Sequence, residues 1–192
     1  MINGKKILSV IPARSGSVGL PKKNILRLCN KPLFAWSLES GNSSKYIDRN
    51  IISTNDIELI QCAKEYDADI PFIRPDRLAT STATSYEVVS HAITEIDESY
   101  DIIVLLQPTS PLRLCDDIDI AIEMLENSNS ECVISVVMND HPPDFNFTVD
   151  DNLFLHYINK NQEIGKRRQD YKKTYRPNGA IYALYTESLL KH

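Results

Sequence analysis

No apolar run in the chain approaches the roughly 18 residues that a membrane-spanning helix needs. The N-terminus, Met-Ile-Asn-Gly-Lys-Lys, leads into a short apolar stretch with no small-residue cleavage site behind it. It reads as a first strand rather than a secretion signal. The four cysteines, Cys29, Cys62, Cys115 and Cys132, contain no CxxC pair. Neither a disulfide framework nor a zinc site is expected, and buried or idle thiols in a reducing cytoplasm fit better. His91, His141, His156 and His192 lack metal-ligand spacing, and His91 reads as structural on a helical stretch. No Ser/His/Asp grouping, internal repeat or low-complexity tract is present. A net charge of −5 argues against a general nucleic-acid binder. Any anion site must therefore be a local cluster.

The 192 residues, 42% hydrophobic and 24% charged, suit one soluble globular domain with a sizeable core. Lys6–Ile11, Asn50–Thr54, Asp101–Leu106 and Glu131–Met138 read as strands. The last two are nearly continuous in Val, Ile and Leu, as a parallel sheet buried on both faces requires. Helical periodicity lies between them. Ile57, Ile60 and Ala63 share a face within Asp56–Tyr66, as do Val88, Val89, Ala92, Ile93 and Ile96 within Tyr86–Ile96. Asp116–Glu126 does the same with Ile118, Ala121, Ile122 and Leu125. The alternation predicts a doubly wound α/β fold, whose ligands bind beyond the carboxyl ends of the strands. From Asn139 to Tyr175 the pattern breaks into polar sequence with short strand-like pieces, Phe145–Val149 and Leu153–Ile158. This reads as an inserted β-arm for subunit contact, before re-entry at Ala180–Tyr185.

Four stretches carry candidate chemistry. Ile11–Asn24, "IPARSGSVGLPKKN", follows the first strand with two glycines and the cations Arg14, Lys22 and Lys23, which together could surround a polyphosphate. It matches neither a Walker loop nor GxGxxG. In "RPDRLATSTATS", Arg74–Ser85, Thr84 and Glu87 form a capping box for the following helix, which leaves Arg74-Pro75 and the small polar run unexplained. "LLQPTSPLR", Leu105–Arg113, makes a rigid turn after a buried strand, with Gln107 at the strand end. In "RRQDYKKTYRPNGAIY", Pro177-Asn178-Gly179 is a plain turn signal.

In series, and with "STND" at Ser53–Asp56, these stretches resemble the acylneuraminate (CMP-sialic acid) cytidylyltransferase family from Val10 to Tyr182. The resemblance implies a Rossmann-like nucleotidyltransferase fold, mostly parallel, with residues 139–175 as a dimerisation arm. It implies transfer of CMP from CTP to the anomeric hydroxyl of a nonulosonic acid, with Mg²⁺ as cofactor. A cytoplasmic homodimer feeding lipopolysaccharide or capsule synthesis would follow. Arg14 and Lys23 would be the catalytic cations on the triphosphate. Ser17 and Gly19 would join them, Asn24 would hold the ribose, and Arg74, Ala83 and Ser85 would hold the nucleoside. Gln107, Arg168, Arg176 and Tyr182 would face the sugar. Phosphoryl transfer depends on charge neutralisation and in-line positioning, which suits these residue types.

The family usually has lysine where Val18 stands and an acidic residue where Ser81 stands. A basic residue commonly follows its His-Pro, where this chain has Pro143-Asp144. Its paired metal-binding aspartates fall beyond His192, so residues 1–192 read as one nucleotidyltransferase domain without its C-terminal part. Asp56 is not assigned the metal. A non-catalytic CTP- or CMP-binding homologue and a cytidylyltransferase for another acidic sugar, such as Kdo, are the alternatives.

Overall fold

In a computed structural model that describes residues 1–17, 19–158 and 167–191, β1 (Ile7–Pro12) is the buried centre of the fold. After it come a two-residue pair of strands, β2 (Arg27–Leu28) and β3 (Lys31–Pro32), and then α1 (Leu33–Asn42). β4 (Arg49–Ser53), α2 (Ile57–Ala63), α3 (Ser85–Glu95), β5 (Ile102–Leu105) and α4 (Cys115–Asn127) continue the alternation. The chain ends through β6 (Cys132–Met138), β7 (Phe147–Val149), β8 (Leu155–Tyr157), β9 (Tyr175–Tyr185) and α5 (Thr186–Leu190).

The main sheet has the order β4-β1-β5-β9-β6. β1 pairs in parallel with β4 and β5, and β9 runs antiparallel to β5. Successive side chains of a strand point to opposite faces, and β1 divides its residues accordingly. Ile7 and Ile11 enter one core with Phe34 and Leu38 of α1 and Ile118 and Ile122 of α4. Leu8 and Val10 enter another with Val89 and Ala92 of α3. Helices therefore cover both faces, as a mixed α/β fold with a mainly parallel sheet requires.

The chain divides into two compact units, Met1–Ser135 with Gly179–His192, and Val136–Asn178. The second holds the antiparallel β7–β8 hairpin, with Phe147 opposite Tyr157. Within it the Phe145 and Tyr171 rings meet edge to face at 5.3 Å, and Asn139 Nδ2 donates to Thr174 Oγ1 at 3.0 Å.

Two expectations change. β6 is an edge strand rather than a doubly buried one, with Ile134, Val136, Val137 and Met138 each 40–51% exposed. Pro177-Asn178-Gly179 is no turn but part of β9, where Gly179 absorbs the irregularity at φ +78°. The four thiols are unpaired, as expected, with Cys29 and Cys132 exposed and the other two half-buried. His91 is structural, its ring packed edge-on against Phe72 at 5.1 Å.

Candidate active site

Three connections at the carboxyl ends of β1, β4 and β5 enclose a cleft of about 550 Å³. That is the ligand-binding end of an open α/β sheet. The segment after β1 supplies Arg14, Ser17, Gly19, Lys23 and Asn24. The stretch between α2 and α3 supplies Arg74, Ala83 and Ser85, and the turn after β5 supplies Gln107. Nine of the twelve expected site residues thus share one cavity. Leu20, Leu78, Val88 and Pro108 add an apolar wall that sequence reading did not identify.

Arg74 is tied to the end of β4, its backbone N–H donating to Thr54 O at 2.8 Å. Arg74 is only 2% exposed, and its guanidinium bonds to uncharged groups. Nε donates to Ser53 Oγ at 3.1 Å, Nη1 to Leu78 O at 3.3 Å, and Nη2 to Ser53 O. Burial, with the positive charge of Arg14 adding to it, pushes the Arg74 pKa down to about 10. Arg14 lies across the mouth of the 74–85 segment with Nη1 donating to Ala79 O at 3.4 Å. Asn24 is buried and donates from Nδ2 to Arg14 O at 3.0 Å, which fixes the base of the first loop. Asn55, within the "STND" stretch, completes the frame. Its Oδ1 accepts from Ser15 N at 3.1 Å and its Nδ2 donates to Asp76 Oδ1 at 3.0 Å, so it joins the first loop to the second.

Two details correct the expected geometry. Lys22 sits in the left-handed region at φ 55° and turns away from the cleft, with Nζ on Glu58 Oε1 at 2.6 Å. Of the adjacent lysines only Lys23 lines the cavity. Ala83 N donates to Thr80 Oγ1 at 3.1 Å, so this amide is already committed.

The other three expected residues are Tyr182, Arg176 and Arg168. Tyr182 is half-buried against the core on the α3 side of the sheet and is not among the cleft residues. Arg176 is exposed and belongs to the second unit. The Arg168 side chain lies outside the described residues, as does Val18.

Among the described residues the cleft lining holds three cations, Arg14, Lys23 and Arg74, and no carboxylate. It suits a polyanion and offers no acidic ligand set for Mg²⁺. Among the described residues no group of three His, Cys, Asp or Glu side chains could hold a metal ion. Asp56 is buried as the N-cap of α2, its Oδ1 accepting from Glu58 N and Leu59 N.

The sequence profile described as cytidylyltransferase matches residues 8–189. The chain belongs to the cytidylyltransferase family. It is 36% identical over 178 residues to an N-acylneuraminate cytidylyltransferase of Escherichia coli, covering 92% of this chain and 42% of that protein. A pseudaminic acid cytidylyltransferase of Campylobacter jejuni is 34% identical, with 92% of this chain and 77% of that protein covered. A CMP-N,N'-diacetyllegionaminic acid synthase of Legionella pneumophila is 30% identical, with 97% and 81% covered. The chain thus spans less than half the length of the first of these and most of the other two. Among solved structures, a CMP:2-keto-3-deoxy-manno-octonic acid synthetase complexed with CTP superposes with a TM-score of 0.72 at 18% identity, covering 97% of this chain and 76% of that one. A 4-diphosphocytidyl-2C-methyl-D-erythritol synthase from Anaerococcus prevotii gives 0.66 at 16% identity, with 97% and 74% covered. At these identities the likeness is one of fold.

Proposed function

We propose that the protein transfers CMP from CTP to the anomeric hydroxyl of a nonulosonic acid. The hydroxyl oxygen bonds to the α-phosphorus, the bond from that phosphorus to the β-phosphate bridge breaks, and pyrophosphate and a proton are released. The observation that carries this is the cleft lined by Arg14, Lys23 and Arg74 without a carboxylate among its described residues. Relatives at 30–36% identity act, by their names, on acylneuraminate, pseudaminate and legionaminate.

In this reading Arg14 and Lys23 neutralise the triphosphate, with Ser17 and Gly19 beside them, and Asn24 meets the ribose. Arg74 and the Ala83 backbone frame the cytosine, Ser85 touches the nucleoside, and Leu78 and Val88 exclude water from it. Gln107 faces the acceptor sugar, with Arg168, Arg176 and Tyr182 as its further contacts. A guanidinium suits the sugar carboxylate because its two N–H groups match two oxygens. Mg²⁺ belongs to this reading as the ion that would offset phosphate charge, and the described residues of the cleft supply no ligands for it. A cytoplasmic homodimer, with the product supplied to surface-glycan synthesis, completes it. The test is pyrophosphate release from CTP and Mg²⁺ with N-acetylneuraminate, pseudaminate, legionaminate or Kdo, each in turn. Release with one of the first three is expected. Release with Kdo alone overturns the acceptor class, and release with none overturns the activity.

The missing lysine at Val18 favours a second reading, a homologue that binds CTP or CMP without turnover. Calorimetric binding of CTP with no pyrophosphate release would support it.

A further inference from the structure

Arg113 closes the "LLQPTSPLR" stretch and is 7% exposed, yet it does not line the cleft. Its acceptors are all uncharged. Nη1 donates to Ala180 O at 2.7 Å and to Gln107 O at 3.4 Å, and Nη2 to Ser40 Oγ at 3.4 Å. Nε is buried with no acceptor among the described residues. Burial pushes its pKa down to about 10, against the opposing pull of the Asp117 carboxylate. If filling space were its only task, an apolar side chain would do so without the desolvation cost of a cation. Such a side chain could not bond two backbone carbonyls at once.

The position of those carbonyls gives the bridge its meaning. β5 and β9 pair antiparallel from Ile102 opposite Tyr185 to Leu105 opposite Tyr182. Continuing that register brings Gln107 opposite Ala180, just past the last paired residues and at the edge of the cleft. Arg113 Nη1 spans the two carbonyls there. Gln107 O also accepts from Ser37 Oγ at 3.3 Å and Ser110 N at 3.2 Å, so its main chain is held by three donors. Its side chain is placed from the other side by Gly179. A Cβ on Gly179 would stand 2.7 Å from Gln107 Oε1, and the φ of +78° there disfavours any side chain.

We propose that Arg113 is a positioning residue. It clamps the Gln107 and Ala180 carbonyls where β5 and β9 part, and so aims the Gln107 carboxamide at the acceptor sugar, in the space that Gly179 leaves open. The proposal rests on the reading of Gln107 as an acceptor-sugar contact. Lysine keeps the charge but ends in one nitrogen on a differently placed stem, which cannot hold the Nη1 and Nη2 positions together, so Arg113→Lys loosens the clamp.

The experiment measures kcat and KM on the full chain, varying CTP and the accepted sugar separately, for Arg113→Lys, Gln107→Ala, Gly179→Ala and the double variants with Gln107→Ala. Arg113→Lys and Gly179→Ala are each expected to lower kcat/KM for the sugar about ten-fold, with KM for CTP within about two-fold. In the Gln107→Ala background each is expected to cost less than about two-fold, because both act through the side chain already removed. Equal losses in both backgrounds overturn the proposal, as does an equal rise in KM for CTP. If Gln107→Ala alone leaves the sugar kinetics unchanged, the reading of Gln107 as a sugar contact falls, and the proposal with it. A readout independent of turnover is the Gln107 side-chain amide resonance in ¹⁵N-labelled protein, identified by its loss in Gln107→Ala. It is expected to shift in Gly179→Ala and, provided that variant folds, in Arg113→Lys. A resonance unmoved in Gly179→Ala, or in a folded Arg113→Lys, overturns the proposal.

Discussion

Arg74 and Arg14 both line one cavity, and burial first, with the Arg14 charge second, lowers the Arg74 pKa. In such a site each added or missing cation counts. A charge-assisted phosphate contact contributes about 1.5–3 kcal/mol, or roughly ten- to a hundred-fold in rate if it is made in the transition state. Val18, which lies outside the described residues, stands where the family usually has lysine. Val18→Lys is expected to raise kcat/KM for CTP at least about ten-fold. Steady-state pyrophosphate release checks this, and an unchanged rate would count against the placement of that position beside the phosphates. The cleft residues were legible in the sequence because cations, glycines and small polar residues clustered after predicted strands. Lys22 and Arg113 were misread or passed over for the opposite reason. A left-handed backbone and a pair of opposed carbonyls set their orientation, and neither is encoded in residue type.

Among the elements, α3 was the most legible, since its start is written as Thr84 and Glu87. Glu87 N donates to Thr84 Oγ1 at 3.2 Å and Thr84 N to Glu87 Oε2 at 2.7 Å. The Thr84 backbone N–H, then its hydroxyl, lowers the pKa of the Glu87 carboxyl. A carboxyl with a depressed folded-state pKa adds stability above its unfolded pKa, about 4.3, and loses it as pH falls through the folded value. Thr84→Ala is expected to cost about 1 kcal/mol near neutral pH, or about 2–4 °C in Tm. The cost shrinks as the solution is acidified below the carboxylate range, and thermal melts across pH check the sign. By contrast α1 escaped notice. Its N-cap is Pro32 with no side-chain hydrogen bond, its first turn has no acid, and its buried face includes Ser37 and Gly41. Gly41 is there because a Cβ would fall 2.5 Å from Asn50 Nδ2, a tertiary reason that no local pattern announces. β6 was legible as a strand but not as an edge, because apolar content reports contact with something without saying with what.

For the whole molecule, the departure of Asn139–Tyr175 from the α/β alternation was visible in the sequence, and the second unit, Val136–Asn178, has close to those bounds. Phe154, Leu155 and Ile158 of this unit are each more than 60% exposed. The proposed homodimer would cover them. Sedimentation velocity is expected to show a dimer for the wild-type chain and a shift toward monomer for Phe154→Glu with Leu155→Glu. A wild-type monomer at micromolar concentration would count against the dimer. The cleft, free of carboxylates among its described residues, has a consequence for the protein's life in the cell. Its unliganded form carries three facing cations, and a ligand that binds only the folded chain stabilises it by about 2.7 kcal/mol at a hundred times its Kd. Resistance to proteolysis would then rise and fall with the supply of nucleotide, making the cleft a gauge of the precursor pool and a determinant of how long each copy survives.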